Sequence, residues 1–510
     1  MRRAFPALVP ATLLALASMA CAGGGVGSDA ATDAGACRSG AQPNDLDGDC
    51  YADVVVGAPV ESAPGGYVGR AHVFLGGPGP SVDAMVDGTF TGVPGVTLGE
   101  AVAMVGDVNG DGFGDLALAG AWRNPLNVDE WTMHLHLGGP AFRFESAPVA
   151  MPIGVVEGGQ SVAVAVAGGG DVNGDGLADI VFGVLRESAA AGMDGAFVYR
   201  GGPGGIVEPP AQLAGAGVVE GFGSSVAIAG DLDGDGFAEI VVGAPVGGPA
   251  GTGAGRAYVY RGGPGGAIDG SPDVILEGQA AEFFGRSVAA AGDLNGDGFA
   301  DLLVGAPRWA GPQGKVYVFL GGQPFDATPD AELATGSFED LDGFGMRVAG
   351  AGDLDADGYD DVLVGAAATG VGAPTVDPPA YLDGRAYVFL GNGGATIDGD
   401  PDVVLGGKIL GGGFGYSVAG AGDVDGDGVA DMLVGELGYG PGAVYLYCGR
   451  PGAIVDPIPA ATFAPLMPFG AFGISIARSD DLRTRPARKA APSTMMTVSP
   501  TAAPPAPAAG

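Results

Sequence analysis

Short apolar runs recur along most of the chain, separated by stretches rich in Gly, Asp and Pro. Ser287 to Ala291, Leu302 to Val304 and Val316 to Leu320 form one such series, with Val274 to Leu276 just ahead of it. The runs are β-branched or aromatic and bounded by Gly or Pro, the pattern of strands that end in tight turns. None keeps a 3.6-residue apolar period over the ten or more residues that a helix needs. The pattern predicts a nearly all-β chain.

One polar pattern punctuates these runs seven times. It reads Asp45-Leu-Asp47-Gly-Asp49, Asp107-Val-Asn109-Gly-Asp111, Asp171-Val-Asn173-Gly-Asp175, Asp231-Leu-Asp233-Gly-Asp235, Asp293-Leu-Asn295-Gly-Asp297, Asp353-Leu-Asp355-Ala-Asp357 and Asp423-Val-Asp425-Gly-Asp427. Successive copies start 60 to 70 residues apart, too long for a helical solenoid repeat and suited to a four-stranded blade with generous loops. Around the loops, Phe222-Gly223 leads through Asp231 to Gly243-Ala244-Pro245, and Phe284-Gly285 leads through Asp293 to Gly305-Ala306-Pro307. In these residues the chain resembles the FG-GAP repeat of integrin α-subunits, over about residues 44 to 480. Other copies drift: Phe344-Gly345 ends in Gly365-Ala366-Ala367, Phe414-Gly415 ends in Gly435-Glu436, and Leu98-Gly99 and Gly158-Gly159 replace Phe-Gly in the second and third. The resemblance implies a seven-bladed β-propeller of four-stranded blades.

The chain ends test that fold independently. Gly57-Ala58-Pro59 follows the first loop, but no Phe-Gly strand precedes Asp45; the missing pattern appears after the seventh copy as Phe472-Gly473-Ile474-Ser475-Ile476-Ala477. The C-terminal strand is therefore expected to complete the N-terminal blade and close the ring, which removes an exposed sheet edge.

Each loop offers oxygen side chains at positions 1, 3, 5 and 9 and a carbonyl at position 7, enough to wrap a calcium ion, which takes six to eight oxygens. The ninth-position acids are Asp53, Asp115, Asp179, Glu239, Asp301, Asp361 and Asp431; the seventh-position carbonyls belong to Tyr51, Phe113, Leu177, Phe237, Phe299, Tyr359 and Val429. Gly at position 6 permits a sharp bend in six copies, and Cys50 replaces it in the first. An EF-hand would share the opening acids but needs Glu at position 12 and helical flanks, whereas Asp301 runs into Leu-Leu-Val-Gly-Ala-Pro. Asn-Gly and Asp-Gly also make metal-free hairpin turns, yet a turn does not require the ninth-position acid. About seven structural Ca²⁺ ions are the expected cofactors.

Charge agrees with that reading. The 510 residues carry 59 Asp plus Glu against 22 Lys plus Arg, a formal charge of −37, which disfavours nucleic acid or an anionic membrane surface as partner. With 101 Gly and 47% hydrophobic residues, the chain suits many tight turns around an ample core rather than disorder.

Residues 1–20 read as a secretory signal, with Arg2 and Arg3 ahead of an apolar run from Ala7 to Ala17. Ser18-Met19-Ala20 suits ordinary signal peptidase, while Cys21 before a Gly-rich stretch resembles a bacterial lipoprotein. Both alternatives stay open: free secretion, or an outer-surface lipoprotein of a Gram-negative-like bacterium held to the membrane only by its lipid. No other segment has the ~18 consecutive apolar residues of a membrane-spanning helix. Residues 21–43 read as a Gly/Ala-rich tether, 44–481 as the propeller and 482–510 as a Pro- and Ala-rich disordered tail. Export permits disulfides; Cys37 with Cys50 closes a short loop, and Cys448 can pair with either.

His72, His134 and His136 fall at third-strand positions where other copies have Tyr317, Tyr387, Phe319 and Phe389, so they are read as strand residues. No Cys-His metal cluster or Gly-x-Ser-x-Gly elbow occurs. The resemblance places ligand recognition on the face opposite the calcium loops, which here carries Trp122, Arg123, Arg308, Trp309 and, in the insertion from Ala368 to Asp383, Tyr381. The favoured function is a non-enzymatic adhesion or interaction module for an extracellular protein or glycan. The alternative is a secreted calcium-dependent polysaccharide lyase or hydrolase, since propellers also host enzymes.

Overall fold

The computed structural model describes residues 44–63, 66–78, 84–92, 96–123, 129–140, 149–156, 162–186, 195–215, 221–248, 253–265, 268, 270–307, 314–335, 343–367, 384–394, 397–407, 412–437, 442–452, 455–464, 472 and 475–477. Among them lie 27 strands and no helix. The strands form seven antiparallel sheets, six of four strands and one of three, each a meander of consecutive strands. The fifth blade is Ser287–Gly292, Asp301–Ala306, Lys315–Phe319 and Ala331–Leu333, with Val304 opposite Tyr317 and Leu302 opposite Phe319. Val274–Glu277, read from the sequence beside this series, pairs with Arg256–Tyr260 and is the outer strand of the fourth blade.

The strand runs are continuously apolar because each blade is buried on both faces. Ile240 and Val242 pack toward the third blade, in a cluster with Val181 and Val198. Val241, between them in the chain, packs toward the fifth, with Val304 and Tyr317. Seven such clusters each join two neighbouring blades, and the last of them joins Ala421 and Leu433 of the seventh to Val54 and Val56 of the first. The chain is thus a seven-bladed β-propeller.

Closure follows the expected route. The first described sheet has only Val54–Ala63, Gly66–Phe74 and Gly88–Thr91, and the C-terminal segment supplies its inner strand. Val56 bridges Ile476 in antiparallel fashion, Gly57 N–H donates to the Ser475 carbonyl at 2.9 Å, and Ala477 N–H donates to the Val55 carbonyl at 3.0 Å. Phe472 is fully buried and its ring lies 5.8 Å from that of His72.

The Phe-Gly and Gly-Ala-Pro signatures meet between blades. A Cβ on Gly243 would collide with the carbonyl oxygen of Gly285, and a Cβ on Gly285, at φ +83°, would collide with that of Arg256. The preceding Phe284 fills the space beside them, 5.2 Å from the Tyr317 ring and 6.2 Å from that of Phe319. Burying such a side chain stabilises the fold by roughly 1.5–3 kcal/mol.

Candidate cation-binding loops

The antiparallel meander puts all seven Asp-rich loops at one end of the ring; six join a blade's first and second strands, and the first leads into Val54–Ala63, the second strand of its blade. The fifth loop shows how they are built. Asp293 Oδ1 accepts from the N–H of Gly296 at 2.6 Å and of Asp297 at 3.1 Å, and its Oδ2 accepts from Gly298 at 2.9 Å. Asn295 Oδ1 accepts from Asp297 N–H at 2.9 Å, and Asp297 Oδ1 from Phe299 N–H at 3.0 Å. Asp301 Oδ2 accepts from Leu294 N–H at 2.8 Å and its Oδ1 from Gly321 N–H at 2.7 Å, just beyond the third strand. Asp53, Asp115, Asp179, Glu239, Asp361 and Asp431 make the same two ties. The ninth-position acid thus has a structural task beside any metal. The first loop keeps this geometry despite Cys50, which takes up φ 78° and donates its N–H to Asp45 Oδ2 at 2.9 Å.

Three carboxylates converge within 4.8 Å in four loops: Asp45, Asp47 and Asp53; Asp231, Asp233 and Glu239; Asp353, Asp355 and Asp357; Asp423, Asp425 and Asp431. The other three loops carry Asn109, Asn173 or Asn295 at the third position, where a neutral amide oxygen replaces a carboxylate. Burial, reinforced by the neighbouring loop acids, pushes the carboxyl of Asp115 and of Asp179 up to about 7 and of Asp53, Glu239, Asp301 and Asp361 up to about 8. The Asp431 carboxyl rises well above its ordinary range for the same reasons. The donor set is all oxygen, the choice of a hard cation. In the fourth loop Asp233 Oδ1 is buried without a hydrogen-bond partner, while the guanidinium of Arg261 holds Oδ2 at 2.9 Å. The residues fit calcium: the side chains at positions 1, 3, 5 and 9 and the seventh-position carbonyl would hold it, and the ion would offset their mutual repulsion.

The loops also hold one another. The eighth-position N–H of each donates to the first-position carbonyl of the loop before it, from Gly114 to Asp45 around to Ala52 to Asp423, at 2.9 to 3.2 Å. A second ring of bonds, from Gly139 to Leu46 around to Gly77 to Val424, runs beside it at 2.8 to 3.2 Å. The seventh-position side chain packs over the fourth position of the preceding loop, so that a Cβ on Gly234 would run into the Phe299 ring and one on Gly426 into that of Tyr51. Where the fourth position is Ala356, at φ 60°, the following loop carries the smaller Val429.

Sequence reasoning missed two sets of acids. Asp87, Asp273, Asp330 and Asp402 accept from the N–H of Leu75, Arg261, Leu320 and Leu390 beside the loops; the signal was Pro-Asp ahead of the outer strand at Pro272, Pro329 and Pro401. Glu61, Glu282 and Glu436 are buried and bond His72 Nε2 at 3.2 Å, Tyr317 Oη at 2.9 Å and Tyr445 Oη at 2.6 Å. No local pattern marks these, because each partner comes alongside only when its blade folds. His72 and His136 are buried strand residues as expected; neither ring nitrogen of His136 has a hydrogen-bond partner, and burial pushes its pKa down to about 4.

Trp122 and Arg123 end the strand Asp115–Arg123, with side chains outside the described residues, as are Arg308, Trp309, Tyr381 and Cys21 in full. Cys50 and Cys448 are both disulfide-bonded.

The FG-GAP repeat family's profile matches residues 222–260, 284–319 and 414–447, each running from the Phe-Gly pair through the loop to the third strand. Integrin alpha-5 of Xenopus laevis is 36% identical over 185 residues, 34% of this chain and 16% of that protein. Integrin alpha-V of Gallus gallus is 34% identical over 245 residues, 45% of this chain and 21% of that protein. The chain therefore matches only a minor part of these relatives' length. A solved structure titled "Structure of Dos1 propeller" superposes with a TM-score of 0.36 at 11% identity, covering 75% of this chain and 79% of that one.

Proposed function

We propose, from the premise that this chain is an FG-GAP, integrin-α-like β-propeller, that it is an exported calcium-binding module that engages an extracellular protein or glycan without catalysis. The observation that carries this reading is the closed girdle of seven oxygen-lined loops, hydrogen-bonded from blade to blade. Calcium in such a girdle is structural, because site formation and blade packing are coupled. Its role is to hold one end of the ring in shape so that the other end presents its loops rigidly. Sequence likeness to integrin α-subunits supports adhesion or protein interaction as the task, and the signal-like N-terminus supports export.

Calcium titration of the chelator-stripped full chain, with melting temperature followed in parallel, tests this. Uptake approaching one ion per loop with a marked rise in melting temperature is expected. Absence of both would reduce the loops to turns and sink the proposal.

A further inference from the structure

Four Asn-Gly pairs occur in the chain: Asn109-Gly110, Asn173-Gly174, Asn295-Gly296 and Asn392-Gly393. Such a pair is chemically labile in water. With no Cβ to obstruct it, the Gly amide nitrogen can reach the side-chain carbonyl carbon of the Asn before it. Three of the pairs are the third and fourth positions of Asp-rich loops, and the fourth follows the third strand of the sixth blade, Arg385–Phe389.

The three loop pairs are protected by their own turns. The N–H groups of Gly110, Gly174 and Gly296 donate to the first-position carboxylates of Asp107, Asp171 and Asp293 at 2.6 to 2.7 Å. To attack, each nitrogen must give up a charge-assisted hydrogen bond and develop negative charge beside that carboxylate. The side chains are held as well. Asn173 is buried, and the Nδ2 groups of Asn109 and Asn295 donate to Asp111 at 2.9 Å and Asp297 at 3.0 Å.

Asn392 differs at each of these points. It is exposed, and the Gly393 N–H makes no hydrogen bond among the described residues. Asn392 Oδ1 accepts from Gly394 N–H at 3.0 Å, a turn that folds the side chain over the Gly393 amide between them and polarises the carbonyl to be attacked. Five other blades have Gly at this place, Gly77, Gly139, Gly202, Gly263 and Gly322, and in the seventh Arg450 precedes Pro451. The place also belongs to the girdle. Asn392 N–H donates to the Leu294 carbonyl of the fifth loop at 3.1 Å, and the Tyr359 hydroxyl of the sixth loop stands where a Cβ on Gly393 would go.

We propose that Asn392 is a site of spontaneous modification, converting in the folded chain to aspartyl and isoaspartyl forms and adding a negative charge to the girdle. The Gly393 nitrogen loses its proton to solvent and bonds to Asn392 Cγ; the Cγ–Nδ2 bond breaks and Nδ2 leaves as ammonia. Water then opens the resulting succinimide at either carbonyl. One opening restores the ordinary backbone with an Asp side chain, and the other leaves the chain running through the side-chain carbon. No oxidant, reductant or enzyme is needed.

The test incubates the full chain with calcium in heavy-oxygen water at mildly alkaline pH and maps its peptides by mass spectrometry over time. Asn392 is expected to convert about tenfold or more faster than Asn109, Asn173 or Asn295, the scale of one charge-assisted hydrogen bond. Both products should appear, each carrying oxygen taken from water. In urea, where the loop bonds are gone, the four rates should converge. Asn392→Gly should leave the folded chain without this early product. A rate at Asn392 no greater than at the loop asparagines overturns the proposal, as does conversion to aspartate alone or a lead for Asn392 that persists undiminished in urea.

Discussion

Arg261 sets the fourth loop apart from the first, fifth and sixth. Blades one, five and six carry Leu75, Leu320 and Leu390 at the same place, while the Arg261 guanidinium occupies an Asp233 oxygen at 2.9 Å. A cation entering this loop must displace it. Arg261→Leu should therefore tighten calcium binding at this one site by up to about fivefold, the scale of a partly exposed ion pair, measured as a shift of one site in a calorimetric titration. The two ends of a loop also divide their tasks. Asp297 is exposed and bonds only within its loop, whereas Asp301 is fully buried and ties the loop to the third strand. Asp297→Ala should lower the melting temperature only in calcium. Asp301→Ala should lower it in chelator too, by about 1–3 kcal/mol of stability for the donors it leaves unsatisfied.

At the scale of the element, what matters is how closely one blade approaches the next. Gly243 and Gly285 admit no side chain because backbone carbonyls stand where a Cβ would go, and backbone yields less than a side chain does. Gly243→Ala should cost about 1–3 kcal/mol as overpacking, read by denaturant unfolding in chelator so that calcium does not mask it. The motif's glycines are therefore packing residues. Its phenylalanine is their complement, filling the space opened beside them.

For the whole molecule, the buried ninth-position acids couple stability to pH. The carboxyl of Asp301 rises from 3.8 to about 8, and those of Asp53 and Asp361 move the same way. Between those two values the folded, metal-free chain holds more protons than the unfolded one, so its stability is fullest below pH 4 for these groups and falls as pH rises toward 8. Calcium, which takes deprotonated carboxylates as ligands, would oppose the loss. Melting temperature in chelator should fall from pH 5 to pH 8, and the stabilisation by calcium should grow over the same interval; a flat profile in chelator would show the acids ionised without penalty. Ring closure has its own consequence: removing residues 470–510 strips the inner strand from the first blade and bares the edge of Val54–Ala63. Lower melting temperature and self-association, seen by light scattering, are expected of that variant.

Fold class, blade number and the residues of the seven loops were legible in the sequence because they rest on local chemistry. Apolar runs ending at Gly and Pro report strands, and the spacing from Asp293 to Asp301 reports a tight loop lined with side-chain oxygens. The displaced Phe472 strand was legible for the same reason, since a missing unit in a repeat is itself a local observation. What only the tertiary structure decided involves partners far apart in the chain: Phe472 against His72, Ala52 on Asp423, Arg347 over Tyr416. A ring of blades brings equivalent positions of successive repeats together, and a contact between repeats leaves no signature inside either one. The repeat therefore shows in the sequence, while the girdle and the contacts from blade to blade arise only when the ring closes.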